Sequence, residues 1–467
     1  MVGIDGLSDK IGAKDLRLAV VGCGYVGLPT AALFADVGFR VTGIDKDREV
    51  VETINDGRSP FPEPGLEEII DSNVKAGRLT ATTSYTECLK WADVVLVSVQ
   101  TPVDERRRPD LTALRQSLGQ IGKSIRRGTL VTIVSTVPPG TILGEVRNWL
   151  ESSSRMRVGS EILLAYAPER SSPGKTIGEF AENPRLVAGW PAECTQVVVQ
   201  LFETICNRII PADIESAEVA KLAENTYRDI NIAFANQLAL ICERRGVDVV
   251  NAVRLANSHP RVSIADPGPG VGGPCLTKDP YFLDCETEAR EMNLIRTART
   301  VNEYMPRHVM ILVARALKQI GKAMEHSTLA VLGSAYKGNV ADGRESPSRT
   351  LIHELLRAGA VVRVHDPFCR ESFGGVVAAT IESCVKDADC MILMTDHEAF
   401  KTLNLRKIRD MMQSKPLIVD ARRILNPSEA EHLGFAYFGV GFPWHVSENC
   451  SRDCDGVERS RGTSVFK

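Results

Sequence analysis

The segment Pro267-Gly-Pro-Gly-Val-Gly-Gly-Pro-Cys275-Leu-Thr-Lys-Asp279 sets one thiol in a glycine-dense turn beside an ammonium and a carboxylate. The thiolate is the nucleophilic form of cysteine and its population rises near positive charge, so a reactive thiol is expected at Cys275. Glycines such as Gly272 and Gly273 would let a substrate approach the backbone without side-chain clash. No second Cys or His lies at ligand spacing, so no metal is expected. Upstream, Lys221 and Asn225 stand four apart in the helix-like run Glu218-Val-Ala-Lys-Leu-Ala-Glu-Asn-Thr-Tyr and share one face, with Cβ atoms about 5–6 Å apart. An ammonium beside an amide is a donor pair for a developing oxyanion; the competing reading is a solvated helix face.

A second signal lies near the amino terminus. Val20-Val-Gly22-Cys-Gly24-Tyr25-Val26-Gly27 follows an apolar run and opens a helix-like stretch, the context of a dinucleotide pyrophosphate turn. Asp45, about 20 residues on at the end of the next strand, would accept hydrogen bonds from the adenosine ribose. A carboxylate there repels a 2′-phosphate and favours NAD over NADP, against the pull of Lys46 and Arg48 nearby. Gln100-Thr101-Pro102 and Ser135-Thr136-Val-Pro-Pro-Gly140 follow two further strands, and hydroxyls at Thr101 and Thr136 could line the nicotinamide side. Ordinary turn chemistry is the alternative for both. A hydride acceptor together with a nucleophilic thiol implies oxidation through a covalent intermediate.

These residues need a scaffold larger than one core. At 467 residues and 51.0 kDa, two or three domains are expected. A net charge of -3 gives no general attraction for nucleic acid or an anionic membrane. The stretch from Met1 to Asp15 is polar, and no run of about 18 apolar residues occurs, so a cytoplasmic protein is expected. The 12 cysteines show no regular framework, and buried free thiols are the expected state for most.

Leu16 to Val21 reads as a strand, Val26 to Val37 as a helix closing at Gly38, and Arg40 to Ile44 as a second strand. A helix near Arg48 to Asp56, a Pro-rich loop at Pro60 to Pro64, and strands at Val94 to Val99, Leu130 to Ser135 and Ile162 to Tyr166 continue the alternation. The pattern predicts an α/β fold with a doubly wound parallel sheet. From Ser216 to Arg244 and from Asn293 to Ile320 helical periodicity takes over, with Pro306 the strong interruption. Strands at Thr328 to Leu332, Val361 to His365, Cys390 to Met394 and Leu417 to Val419, with a helix at Ser348 to Ala358, predict a second Rossmann-like domain. Its turn Gly333-Ser-Ala-Tyr-Lys337 lacks the three-glycine spacing, so a second NAD site is not expected. The domains are expected at 1–213, 214–320 and 321–446, with a polar tail at 447–467.

In order along the chain, Gly22-Cys-Gly-Tyr-Val-Gly-Leu-Pro, Thr101-Pro102, Ser135-Thr-Val-Pro-Pro-Gly, Tyr166-Ala-Pro-Glu-Arg170, Pro173-Gly-Lys175, Ala220-Lys-Leu-Ala-Glu-Asn225, the Cys275 loop, Tyr336-Lys337 and Arg344-Glu-Ser-Pro347 resemble the UDP-glucose/GDP-mannose dehydrogenase family, the nucleotide-sugar 6-dehydrogenases. The resemblance implies oxidation of a sugar C6 alcohol to an acid with two NAD, through an aldehyde, a thiohemiacetal, a thioester and hydrolysis. It makes Cys275 the nucleophile, Lys221 and Asn225 the oxyanion donors, and Asp279 a proton-transfer group. By the same match Glu169 assists thioester hydrolysis with Thr136 holding the water, and Lys278 and Arg344 lie at the cofactor. Arg170, Gly272, Lys337 and Arg422 are implied to face the substrate, as is Arg261 from a neighbouring subunit of a homodimer or larger oligomer. Val134 replaces a glutamate that many relatives carry, and Pro274 a histidine frequent in relatives acting on N-acetylated sugars. His259-Pro-Arg-Val262 and Pro267 to Gly273 nevertheless look like the N-acetylhexosamine branch, with UDP-N-acetylmannosamine the expected substrate and UDP-glucose or UDP-N-acetylglucosamine the alternatives. A two-electron β-hydroxyacid dehydrogenase would share the glycine turn but have no need of Cys275, and a non-catalytic nucleotide-sugar sensor would need neither the thiol nor its donors.

Overall fold

The computed structural model describes residues 3–285 and 293–443. Two wound sheets are joined by a pair of long helices. The first sheet contains β1 (Arg17–Val21), β2 (Arg40–Ile44), β3 (Leu79–Thr82), β4 (Val94–Val97), β5 (Leu130–Ile133), β6 (Leu163–Tyr166), β7 (Arg185–Trp190) and β8 (Ile209–Pro211), in the spatial order β3-β2-β1-β4-β5-β6-β7-β8. All pairings are parallel except β6 with β7. Every residue of β4, β5 and β6 is buried, because helices cover both faces of a parallel sheet and leave no solvent side for alternation. Strand order reverses between β1 and β4, so a crevice opens at their carboxyl ends.

The second sheet is wholly parallel, in the order β11-β10-β9-β12-β13-β14, from β9 (Thr328–Leu332), β10 (Val361–His365), β11 (Val376–Val377), β12 (Cys390–Leu393), β13 (Leu417–Asp420) and β14 (Ala436–Gly439). It repeats the construction of the first. Asp93 accepts the Arg17 N–H and the Lys10 ammonium just before β4, and Asp389 does the same with the Thr328 N–H and Lys322 just before β12. Gly22 after β1 donates its N–H to Ile44 O, and Gly333 after β9 donates its N–H to His365 O.

The central helix runs from Ile214 to Arg245, capped by the Asp213 carboxylate on the Ser216 N–H and ended by Gly246 at φ 67°. It packs along the connecting helix, Leu294–Gln319, which carries Pro306 in its interior. Buried polar pairs register the two: Arg299 Nη1 donates to Asp229 Oδ1 at 2.7 Å, and Asn236 Nδ2 to Asn302 Oδ1 at 2.9 Å. The amino terminus, expected to be merely polar, forms a helix at Ile4–Ala13, since Leu7 and Ile11 stand four apart and pack into the first core. The expected tail at 447–467 lies outside the described residues. Among the described residues no helix is long and apolar enough to cross a membrane.

Candidate active site

The glycine turn after β1 is shaped by close approach. Gly22 has φ 91°, and a methyl group on it would sit 2.3 Å from Ser98 O, while one on Gly27 would sit 1.8 Å from Gly22 O. Gly24 is different: a methyl there would meet nothing within 4 Å, so this position borders open space at the start of the helix Gly27–Asp36. Unpaired N–H groups at that helix start suit a pyrophosphate. Asp45 faces the turn, accepting the Cys23 N–H at 2.8 Å and the Asp47 N–H at 3.0 Å. The turn, the open side at Gly24 and the carboxylate together fit NAD. Val26 caps the helix, and Arg48 is exposed at the start of the next one. Tyr25 stacks on Phe61 with ring centroids 4.3 Å apart and lies under the Arg344 guanidinium at 5.0 Å, so the second wound domain reaches over the turn. Arg344 is itself held by Asp342.

The loops leaving β4 and β5 are knitted together at the same edge. Thr101 is buried and donates its hydroxyl to Thr136 O at 2.7 Å, and Ser135 Oγ accepts the Val99 N–H at 2.9 Å. The Thr101 hydroxyl therefore orients the Thr136 loop.

Lys221 and Asn225 are both 6% exposed, which removes the solvated-face reading. Asn225 Nδ2 donates to Asp279 Oδ2 at 2.6 Å, and Lys278 Nζ donates to Asp279 Oδ1 at 2.6 Å. Asp279 is 1% exposed at the first position of the helix Asp279–Leu283. Cys275 is open to solvent, yet protein crowds it on its other sides. Crowding and the Asp279 carboxylate push the thiol pKa up, against the downward pull of Lys278, Lys221 and Arg344. Three cations act on the sulfur, and crowding by protein is the larger effect.

The glycines before the thiol also serve the packing of the second domain. A methyl on Gly272 would sit 2.6 Å from Glu345 O, and one on Gly273, at φ 88°, 2.7 Å from the Tyr336 ring. Their bareness admits the second domain on the side where a Cβ would stand. Gly273 further donates its N–H to Arg344 O at 3.1 Å.

Other expected site residues are held more firmly by protein. Glu169 accepts the Arg170 and Ser171 N–H groups at 2.7 Å and pairs with buried Arg185. Arg170 pairs with Glu224 and donates to Pro184 O. Arg422 donates to Met394 O at 3.1 Å and Tyr336 O at 3.2 Å, and burial lowers its pKa against the pull of Asp396, Asp266 and Asp420. Lys337 and Arg261 are exposed, the latter on a loop beyond the helix Val249–Ala256.

Three groups were given no role by the sequence reading. Tyr336 lies near Asp342 and Cys275, and burial together with those neighbours raises its pKa. Glu218 grips the Thr136 loop, and Arg299 reaches Leu276 O beside the thiol at 3.4 Å. Glu218 was visible at the head of the Lys221–Asn225 stretch, whereas Arg299 lies in another helix and no spacing links it to the thiol.

Comparison with known proteins agrees with this layout. Residues 16–206, 215–304 and 330–427 match, in turn, the NAD binding, central and UDP binding domains of the UDP-glucose/GDP-mannose dehydrogenase family. The UDP-N-acetyl-D-mannosamine dehydrogenase of Pyrococcus horikoshii is 37% identical over 427 residues, covering 91% of this chain and 99% of that one. A solved structure from the same organism superposes with a TM-score of 0.85 at 37% identity, covering 91% and 99%. The NDP-N-acetyl-D-galactosaminuronic acid dehydrogenase of Ralstonia solanacearum is 37% identical over 416 residues, covering 87% and 95%. A glycine turn facing Asp45, a crowded thiol beside buried Lys221 and Asn225, and a second wound domain closing over both belong to one architecture: the chain is a member of the UDP-glucose/GDP-mannose dehydrogenase family, an NAD-dependent nucleotide-sugar dehydrogenase.

Proposed function

We propose that the protein oxidises the C6 alcohol of UDP-N-acetyl-D-mannosamine to the uronic acid in two stages at Cys275. The observation that carries this is the convergence of Cys275, Lys221, Asn225 and Asp279 at one place, with relatives named for N-acetylated sugars at 37% identity. Gly22, Gly24, Tyr25, Val26, Gly27, Asp45 and Arg48, with Thr101, Thr136, Lys278 and Arg344 around them, would hold NAD, which when bound would supply the hydride acceptor for each stage. The Cys275 sulfur adds to the aldehyde carbon, and the proton it loses goes to the alkoxide formed. Lys221 and Asn225 stabilise that oxyanion, each such donor being worth about 2.7–4 kcal/mol. After the second oxidation a water adds to the thioester carbon. The carbon–sulfur bond breaks, and Asp279 takes a proton from that water as the thiol is restored. Glu169 and Thr136 orient the water; Arg170, Gly272, Lys337 and Arg422 contact the nucleotide sugar.

The working division is 1–213 for NAD, 214–320 as the central unit, and 321–446 for the UDP moiety. Tyr227, Phe234 and Ile241 are exposed at seven-residue spacing along the central helix, a stripe suited to a second copy of the chain. Such a homodimer brings the partner copy close to each site, where its exposed loop can offer the residue at position 261.

A panel of UDP- and GDP-sugars, with NADH counted per sugar consumed, tests this reading. Two NADH per UDP-N-acetyl-D-mannosamine are expected. One per sugar removes the thioester route, and a strong preference for UDP-glucose overturns the sugar assignment.

A further inference from the structure

We propose that Glu218 is a positioning residue that ties the loop carrying Thr136 to the helix carrying Lys221 and Asn225, fixing the spacing between the coenzyme side and the thiol side of the site. Its part in catalysis rests on the function proposed above.

Glu218 is fully buried, and Oε2 accepts the Gly140 N–H at 2.7 Å while Oε1 accepts the Ile142 N–H at 2.8 Å. Both donors lie just after Thr136, where the loop turns into the short helical segment Ile142–Val146. The front of the same loop is fixed to β4 by Ser135 and Thr101, so Glu218 supplies the attachment on its far side. On the central helix Glu218, Lys221, Asn225 and Asp229 follow one another at i, i+3, i+7 and i+11, and all four are buried on one face. Each end of that row holds a separate piece of the site. Glu218 holds the coenzyme-side loop, and Asp229 holds Arg299, which reaches Leu276 O beside the thiol. Between them, Asn225 holds Asp279. One helix face therefore sets two loops, the Thr136 loop and the Cys275–Asp279 loop, in register.

A carboxylate suits this task because both donors are backbone N–H groups and two oxygens must accept. A glutamine offers one oxygen and turns an N–H toward the second donor. The charged groups that face Glu218 do not neutralise it: Glu215 lies on its own helix, Glu145 on the segment it caps, and the Tyr166 phenol faces it from β6. Burial and these acids push its pKa up to about 7, against the pull of the two N–H groups.

The test compares wild type with Glu218→Gln and Glu218→Asp, measuring NAD affinity by calorimetry, kcat and KM for the UDP-sugar, and thermal stability. Loss of one charge-assisted hydrogen bond predicts about tenfold weaker NAD binding and a comparable fall in kcat. The KM for the UDP-sugar should stay within about twofold. For wild type, NAD affinity should fall as pH drops through about 7, and Glu218→Gln should abolish that dependence. Wild-type NAD affinity in both variants overturns the proposal, as does a parallel loss of NAD and UDP-sugar binding. Should neither variant fold, Ile142→Pro, which removes the N–H that Glu218 Oε1 accepts, takes their place, and wild-type NAD affinity in it overturns the proposal. A protein that binds NAD but oxidises no UDP-sugar counts against the proposed function and leaves the NAD comparison readable.

Discussion

Asn225 holds Asp279 through a 2.6 Å hydrogen bond between two side chains that are almost wholly buried. Lys278 takes the other carboxylate oxygen, so the acid beside the thiol is fixed at both oxygens before any ligand arrives. Replacing Asn225 by Ala leaves a buried carboxylate one partner short and removes the oxyanion donor proposed above. A fall in kcat of about 10²–10³ is expected, with NAD affinity unchanged. A near-normal kcat removes Asn225 from the site.

The crowded thiol sets a pH prediction. Because burial and Asp279 raise the Cys275 pKa, the thiolate fraction at neutral pH is below that of an ordinary cysteine and grows as pH rises. Alkylation by iodoacetamide in the absence of ligands should accelerate with pH, with a midpoint above that of a free thiol. Lys278→Met should move that midpoint further up, since a cation that favours the thiolate is lost. A midpoint below the free-thiol value contradicts the account, and Cys275→Ser should abolish acid formation altogether.

Asp45→Ala should weaken NAD binding by about tenfold, a carboxylate hydrogen bond's share, and narrow the preference over NADP. Kinetics unchanged with both coenzymes rules out Asp45 as the ribose ligand.

Two glycines should respond in opposite ways to the same change. A methyl on Gly273 meets the Tyr336 ring at 2.7 Å and demands φ 88°, so Gly273→Ala should cost about 2–4 kcal/mol in denaturant unfolding. Gly24→Ala meets only open space and should leave stability within about 0.5 kcal/mol, while NAD affinity drops. Equal stability of the two variants overturns this division of roles.

Much of this layout could be read from the chain before folding. The strand ends at Val21, Ile44 and His365 agree with the sequence, and the two long helices differ by one or two residues, because apolar runs and helical periodicity are local signals. Cys275, Lys221, Asn225 and Asp279 stand together as their chemistry suggests. What escaped was set by contacts distant in sequence. The reason for Gly273 lies 63 residues away in Tyr336, and the raised thiol pKa reflects how closely three segments crowd the sulfur. The Ile4–Ala13 helix passed unnoticed since its apolar face is only Ile4, Leu7 and Ile11 among polar and glycine residues.

Asp366 occupies in the second sheet the place Asp45 has in the first, but its side chain is sealed in. It accepts the N–H groups of Ser334, Ala335, Phe368 and Cys369 and contacts His397 Nε2 at 3.0 Å. No oxygen there is left to greet a ribose. Among the described residues the second wound domain thus repeats the winding without an open carboxylate, so the oxidation proposed above, with Cys275 as its tether, would draw both hydride acceptors in turn through the first domain's berth.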